Sequence, residues 1–233
     1  MVVLITVRFV KYTSVHFIHL LQISIVSECG ISRIGALEFD FFAGTCGTYM
    51  INNDPVIFLC FSKGEQWNGE QCRISIQRST NSVMTITDFE FETDSYLDSK
   101  ENHRGTRLAN YNGFPLALGG TENAVLEMFD PSSNSWVRKT SYPFSREYHQ
   151  YSVVSLSSSV IYFGGRILNE GWIQTNIVAE FKNDDWNEIG EMWHPRSYHS
   201  SIMMNQKIFI LGGENSTPPY TQSIRVVFTS LKL

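Results

Sequence analysis

The sequence predicts an all-β protein assembled from repeats, on three observations. Gly-Gly doublets stand at 119–120, 164–165 and 212–213, at intervals of 45 and then 48 residues. Each doublet ends an apolar, strand-like run, at 114–118, 160–163 and 208–211. A tryptophan follows the first two doublets, Trp136 and Trp186, each after a polar turn. One doublet alone would be only a turn signal. Three in phase indicate a repeat architecture, for which periods of roughly 20 to 50 residues are typical.

Composition supports a packed core. Of 233 residues, 42% are hydrophobic and 13% aromatic, and only 18% are charged. The net charge is −5, and no Lys/Arg cluster appears. The electrostatic footprint of a nucleic-acid binder is therefore missing.

From the N-terminus, Arg8 and Lys11 precede a fairly apolar stretch at 15–26, followed by Ser27, Glu28, Cys29 and Gly30. This loosely resembles a signal peptide. His16, His19 and Gln22 interrupt the run, which also suits an edge strand. It is too short and polar for a transmembrane helix, which needs about 20 apolar residues. Residues 1–28 thus read as a signal peptide or as a disordered or edge segment, and 29–233 as the repeat domain.

A first, weaker repeat is expected near 46–88. Residues 47–51 and 56–61 flank the turn at 52–54, with 71–76 and 83–86 as outer strands. Leu59-Cys60-Phe61 replaces the doublet there. The polar segment 93–106 reads as an exposed loop or an irregular inter-blade linker. Three clearer repeats follow, near 105–140, 147–190 and 197–228. In them Asn112-Gly113 is a hairpin turn, since both residues accept positive φ. Pro143 with Arg146 and Tyr148-His149 follow Trp136; Pro195 with Arg196 and Tyr198-His199 follow Trp186.

The doublets, the tryptophans and their spacing resemble the kelch family over about half the chain. That resemblance implies a β-propeller of about four blades, each of four antiparallel strands. Kelch propellers usually close with more blades, so the set is expected to be incomplete. The resemblance gives structural roles to Gly119, Gly120, Trp136, Gly164, Gly165, Trp186, Gly212 and Gly213. It also implies that Arg146 and Arg196 face a central pocket and bind acidic peptide groups, with Tyr148 and Tyr198 beside them. No helical region resembles the BTB and BACK domains that accompany many kelch propellers.

All four cysteines, Cys29, Cys46, Cys60 and Cys72, lie in the first third. No C-x-x-C pair points to zinc or thioredoxin-like chemistry. Cys60 and Cys72 flank a short turn-like stretch and are the candidate disulfide; four free thiols in a cytosolic protein are the alternative. The compartment stays open, leaning to export. Asn215-Ser216-Thr217 is a glycosylation sequon that matters only after export.

No G-x-S-x-G elbow, P-loop, dinucleotide fingerprint or H-E-x-x-H is present. Gly44-Thr45-Cys46-Gly47 reads as a turn before a strand, His194 and His199 lack further metal ligands, and Asp184-Asp185 sits in a hairpin. No cofactor or metal is expected. Binding is expected on the loops after each doublet, at 121–124, 166–176 and 214–223, because propeller blades hold such loops rigid. Trp172 in the middle loop is the candidate anchor, since hot spots favour Trp, Tyr and Arg. The expected function is a non-catalytic module that binds a protein. A propeller-based enzyme, galactose-oxidase-like or sialic-acid-processing, and a fragment of an intracellular ubiquitin-ligase adaptor are the alternatives.

Overall fold

The computed structural model describes residues 2–12, 16–27, 30–37, 45–51, 54–61, 72–76 and 98–215, apart from 121, 144, 169, 170 and 205. Within these the chain is all-β, and every strand pairing is antiparallel. β1 (Val2–Tyr12), β2 (His16–Ser27) and β3 (Gly30–Leu37) form an N-terminal three-stranded sheet. The apolar stretch at 15–26 lies largely within β2.

Four blade-like sheets follow in chain order, as in a partial propeller. The first holds β4 (Thr45–Ile51), β5 (Asp54–Cys60) and β6 (Cys72–Ile76). The expected fourth strand at 83–86 lies outside the described residues. The second blade holds β7 (Leu108–Tyr111), β8 (Phe114–Leu118), β9 (Val125–Asp130) and β10 (Ser135–Ser141). β11 (Tyr148–His149) leads into the third, made of β12 (Ser152–Ser155), β13 (Ser159–Phe163), β16 (Ile177–Lys182) and β17 (Asp185–Glu191). β18 (Ser197–Met204) and β19 (Lys207–Glu214) form the fourth. The innermost strands adjoin one another, β4 to β7, β7 to β12, and β12 to β18.

Strand alternation explains the long apolar runs. Successive side chains point to opposite faces, and a middle blade is buried on both. In β13, Val160 and Tyr162 pack toward the second blade, among Leu116, Leu118 and Tyr151. Ile161 and Phe163 pack toward the fourth, against Ile208 and Ile210. In β8, Ala117 instead joins Phe58, Phe129 and Trp136 against the first blade. Trp136 is fully buried and touches the Phe61 ring at 5.5 Å. Trp186 is half-buried among Tyr142, Tyr162 and Phe181.

Tight turns join the strands. Asn112 and Gly113 both take positive φ between β7 and β8, and Asn183 and Asp184 do so between β16 and β17, the geometry that matches strand twist. In the first blade Phe61 fills the place of a doublet, buried and at φ 61°. The structure joins Cys60 to Cys72 by a disulfide across β5 and β6.

Two expectations need correction. Of the two readings of 93–106, the exposed loop fails: its described part, 98–106, is irregular and joins the blades, but Ser99, His103 and Thr106 in it are buried. The cause is Glu127 on β9, whose carboxylate meets His103 and accepts the Glu101 and Lys100 N–H groups. Residues 166–176 are not irregular either. β14 (Arg166–Leu168) and β15 (Trp172–Gln174) form a hairpin that pairs with β11 in a small extra sheet.

Candidate functional site

Hydrogen bonds set the true phase of the repeats. The Gly120 N–H donates to the Tyr148 carbonyl at 3.0 Å, and the Gly165 N–H to the Arg196 carbonyl at 2.8 Å. Tyr148 therefore occupies the place of Arg196, not of Tyr198. Gln150 occupies the place of Tyr198, and Gly105 that of both. All three have positive φ, and they bond in series: Tyr198 N–H to Gln150 carbonyl at 3.0 Å, Gln150 N–H to Gly105 carbonyl at 3.1 Å.

The same phase brings out a set of side chains. Sixteen residues before each doublet, a donor reaches the carbonyl of its first glycine. His103 Nδ1 meets the Gly119 oxygen at 2.6 Å, Tyr148 Oη that of Gly164 at 2.7 Å, and Arg196 Nη1 that of Gly212 at 2.9 Å. His103 Nε2 also lies 2.9 Å from Glu127 Oε2, both side chains fully buried. A carbonyl only accepts, so Nδ1 is the donor to the Gly119 oxygen. The doublets make room for this approach. A Cβ at Gly164 would lie 2.6 Å from the Arg196 carbonyl and one at Gly213 2.7 Å from the Ser197 carbonyl. Both glycines also hold positive φ, which side chains disfavour.

These contacts place the expected binding residues. Tyr148 is fully buried, stacked on Tyr142 at 4.1 Å and on Tyr151 at 4.7 Å. Arg196 is buried, with its guanidinium on the Gly212 carbonyl. Both expectations of a partner-facing side chain are corrected: the two residues hold the loop that carries the face. Arg146 and Tyr198 are exposed, Tyr198 at 58%. Trp172 is 42% exposed; its other face stacks on His149 at 4.3 Å and 11°.

Trp172, His149, Gln150 and Tyr198 form one continuous rim. Gln150 Nε2 donates to Tyr198 Oη at 2.6 Å. Gln174 Nε2 donates to Ser197 Oγ at 2.8 Å and to the Glu214 carbonyl at 3.1 Å, tying the hairpin to the fourth blade. Arg166 Nη2 lies 3.4 Å from Glu214 Oε1, a half-exposed pair that adds little energy. Burial, and secondarily Arg166, pushes His149 down to about 4, so its ring is neutral at physiological pH. His149, Gln150 and His103 carry no site role on the sequence alone. The sixteen-residue distance to each doublet was the signal for His103, and the neighbouring turn residue for Gln150.

His199 is buried and held near 4, chiefly by burial and then by Arg196. Cys46 is a half-buried free thiol, raised by burial. Asn215 is half-buried; Ser216 and Thr217 lie outside the described residues. Among the described residues no group of three His, Cys, Asp or Glu could hold a metal, and no helix is long and apolar enough to cross a membrane.

No family model matches the chain. Over 119 residues, 47% of the chain, it is 26% identical to Kelch-like protein 15 of Mus musculus, and equally to that of Rattus norvegicus. The chain spans 19% of the length of these relatives. With the antiparallel blades described above, this similarity supports a kelch-like relationship.

Proposed function

We propose that the chain is a non-catalytic interaction module that presents the β14–β15 hairpin and the start of β18 to a protein partner. The observation that carries this reading is the rim itself. Trp172 and Tyr198 are large, exposed and already fixed, by His149 and Gln150 respectively. Preorganised aromatics lose little rotamer freedom on binding, so more of their burial appears as affinity. Arg146 is the exposed cation of the preceding loop and suits an acidic group on the partner. Tyr148 and Arg196 act from beneath, by holding the doublet carbonyls.

The test compares proteins captured from cells by the wild-type chain, by a Trp172→Ala/Tyr198→Ala variant, and by Ile189→Ala on the exposed outer strand β17. A defined set should be lost with the rim variant and kept with the Ile189 control. An identical set from all three overturns the reading.

A further inference from the structure

The turn between β7 and β8 holds a reactive pair. Asn112 and Gly113 are both exposed, and they alone separate the closing pair Tyr111 and Phe114. Nothing lies within 4 Å of the point that a Gly113 Cβ would occupy. An asparagine followed by glycine is open to attack by its own backbone. No Cβ shields the glycine nitrogen, and the glycine backbone is free to turn. On losing its proton, that nitrogen can bond to the asparagine Cγ. The side-chain NH2 departs with the proton as ammonia, and a five-membered imide remains. Water then opens the imide at either carbonyl, which gives aspartate or isoaspartate.

The fold opposes this reaction at one atom. The Gly113 N–H, the group that must lose its proton, donates to Asn110 Oδ1 at 2.9 Å. While that bond lasts, the proton is stabilised on the nitrogen and the attack is suppressed. Asn110 is exposed but anchored: its own backbone N–H donates to Ser155 Oγ on β12 at 2.8 Å. The third blade thus fixes the residue that guards a turn of the second.

We propose that Asn112 is a deamidation site held in reserve, and that Asn110 is the residue that holds it. The consequence falls on the seam between the two blades. Either product puts a carboxylate at the tip, and isoaspartate adds a carbon to the backbone of the turn. A two-residue turn of this type depends on positive φ at both positions, here 52° and 89°. The adjoining Tyr111 Oη accepts the Asn183 N–H at 3.1 Å, and its ring meets that of Phe181 at 5.2 Å. A change of turn geometry therefore reaches the third blade directly.

The test incubates the full chain under mildly alkaline conditions, folded and in urea. Residue 112 is followed by peptide mass spectrometry that separates isoaspartate from aspartate. The peptide with the chain's other Asn-Gly pair, Asn68-Gly69, is scored apart. Unfolded wild type should react fastest and folded wild type slowest, a comparison that needs no variant. Folded Asn110→Ala should react about fivefold faster than folded wild type, the rate equivalent of one hydrogen bond of about 1 kcal/mol. Asn110→Asp keeps an acceptor oxygen and should react no faster than wild type. Circular dichroism of the three should coincide, since Asn110 is exposed and its bond to Ser155 is made by the backbone. A folded wild type as fast as the unfolded chain, an alanine variant no faster than wild type, or an aspartate variant as fast as the alanine one each overturns the proposal.

Discussion

Replacing Tyr148 by Phe removes one oxygen from a fully buried ring and leaves its stacking on Tyr142 and Tyr151 in place. The lost hydroxyl donates to the Gly164 carbonyl at 2.7 Å. That oxygen then faces a space too dry to supply another donor. Orphaning a buried acceptor costs about 1–3 kcal/mol. A loss of about 2 kcal/mol is therefore expected. With a urea slope of about 2 kcal/mol per molar, the unfolding midpoint should fall by about 1 M. Tyr162 supplies the control. It is equally buried and lies in the same cluster, but its hydroxyl has no hydrogen-bond partner in the structure. Tyr162→Phe removes a polar atom that gains nothing from burial, so its midpoint should hold or rise. Urea titrations followed by tryptophan fluorescence measure both variants in one experiment. Equal midpoints for the two would refute the role assigned to the Tyr148 hydroxyl.

Acid should weaken the fold before the carboxylates titrate. His149 and His199 are held near 4, against an ordinary 6.5, chiefly by burial. The unfolded chain therefore takes up protons that the folded chain refuses, so stability is full above about pH 6.5 and falls as pH drops toward 4. His199 alone should cost about 2 kcal/mol at pH 5, read as a lower urea midpoint than at pH 7.5; equal midpoints at the two pH values would contradict its burial. Reducing the Cys60–Cys72 bridge, whose sequence separation is 12, should cost about 3 kcal/mol on the loop-entropy model. Intact mass before and after reduction counts the bridge, and a cost below about 1 kcal/mol would show that it restrains little. Trp136→Ala should cost about 3–5 kcal/mol by emptying the seam between the first two blades. Trp193→Ala, at an 83% exposed site, should stay within about 0.5 kcal/mol; the contrast is read from thermal melts.

The blades were legible because backbone requirements wrote them into the sequence. A doublet must be glycine where the next loop's carbonyl comes within reach of a Cβ, as at Gly164 and Gly213. Both-face burial forces the apolar runs before it. The buried His103–Glu127 pair was not legible, since a glutamate within a strand reads as solvent-facing until the segment that covers it is placed. The rim was half legible: Trp172 and Tyr198 stood out as large aromatics, whereas their supports are ordinary polar residues brought together from separate loops.

The misreading of phase is the most instructive. Matching Tyr148-His149 to Tyr198-His199 by residue type requires a step of 50, while the glycines of the same two repeats step by 48. The structure follows the glycines, because the doublet carbonyl needs a donor of the right reach and not a particular side chain. An imidazole, a phenol and a guanidinium all supply that, at 2.6, 2.7 and 2.9 Å. Where geometry asks only for an N–H or O–H at a fixed distance, residue identity is free to change between repeats. Spacing from the backbone landmark then carries the repeat, and similarity of side chains misleads.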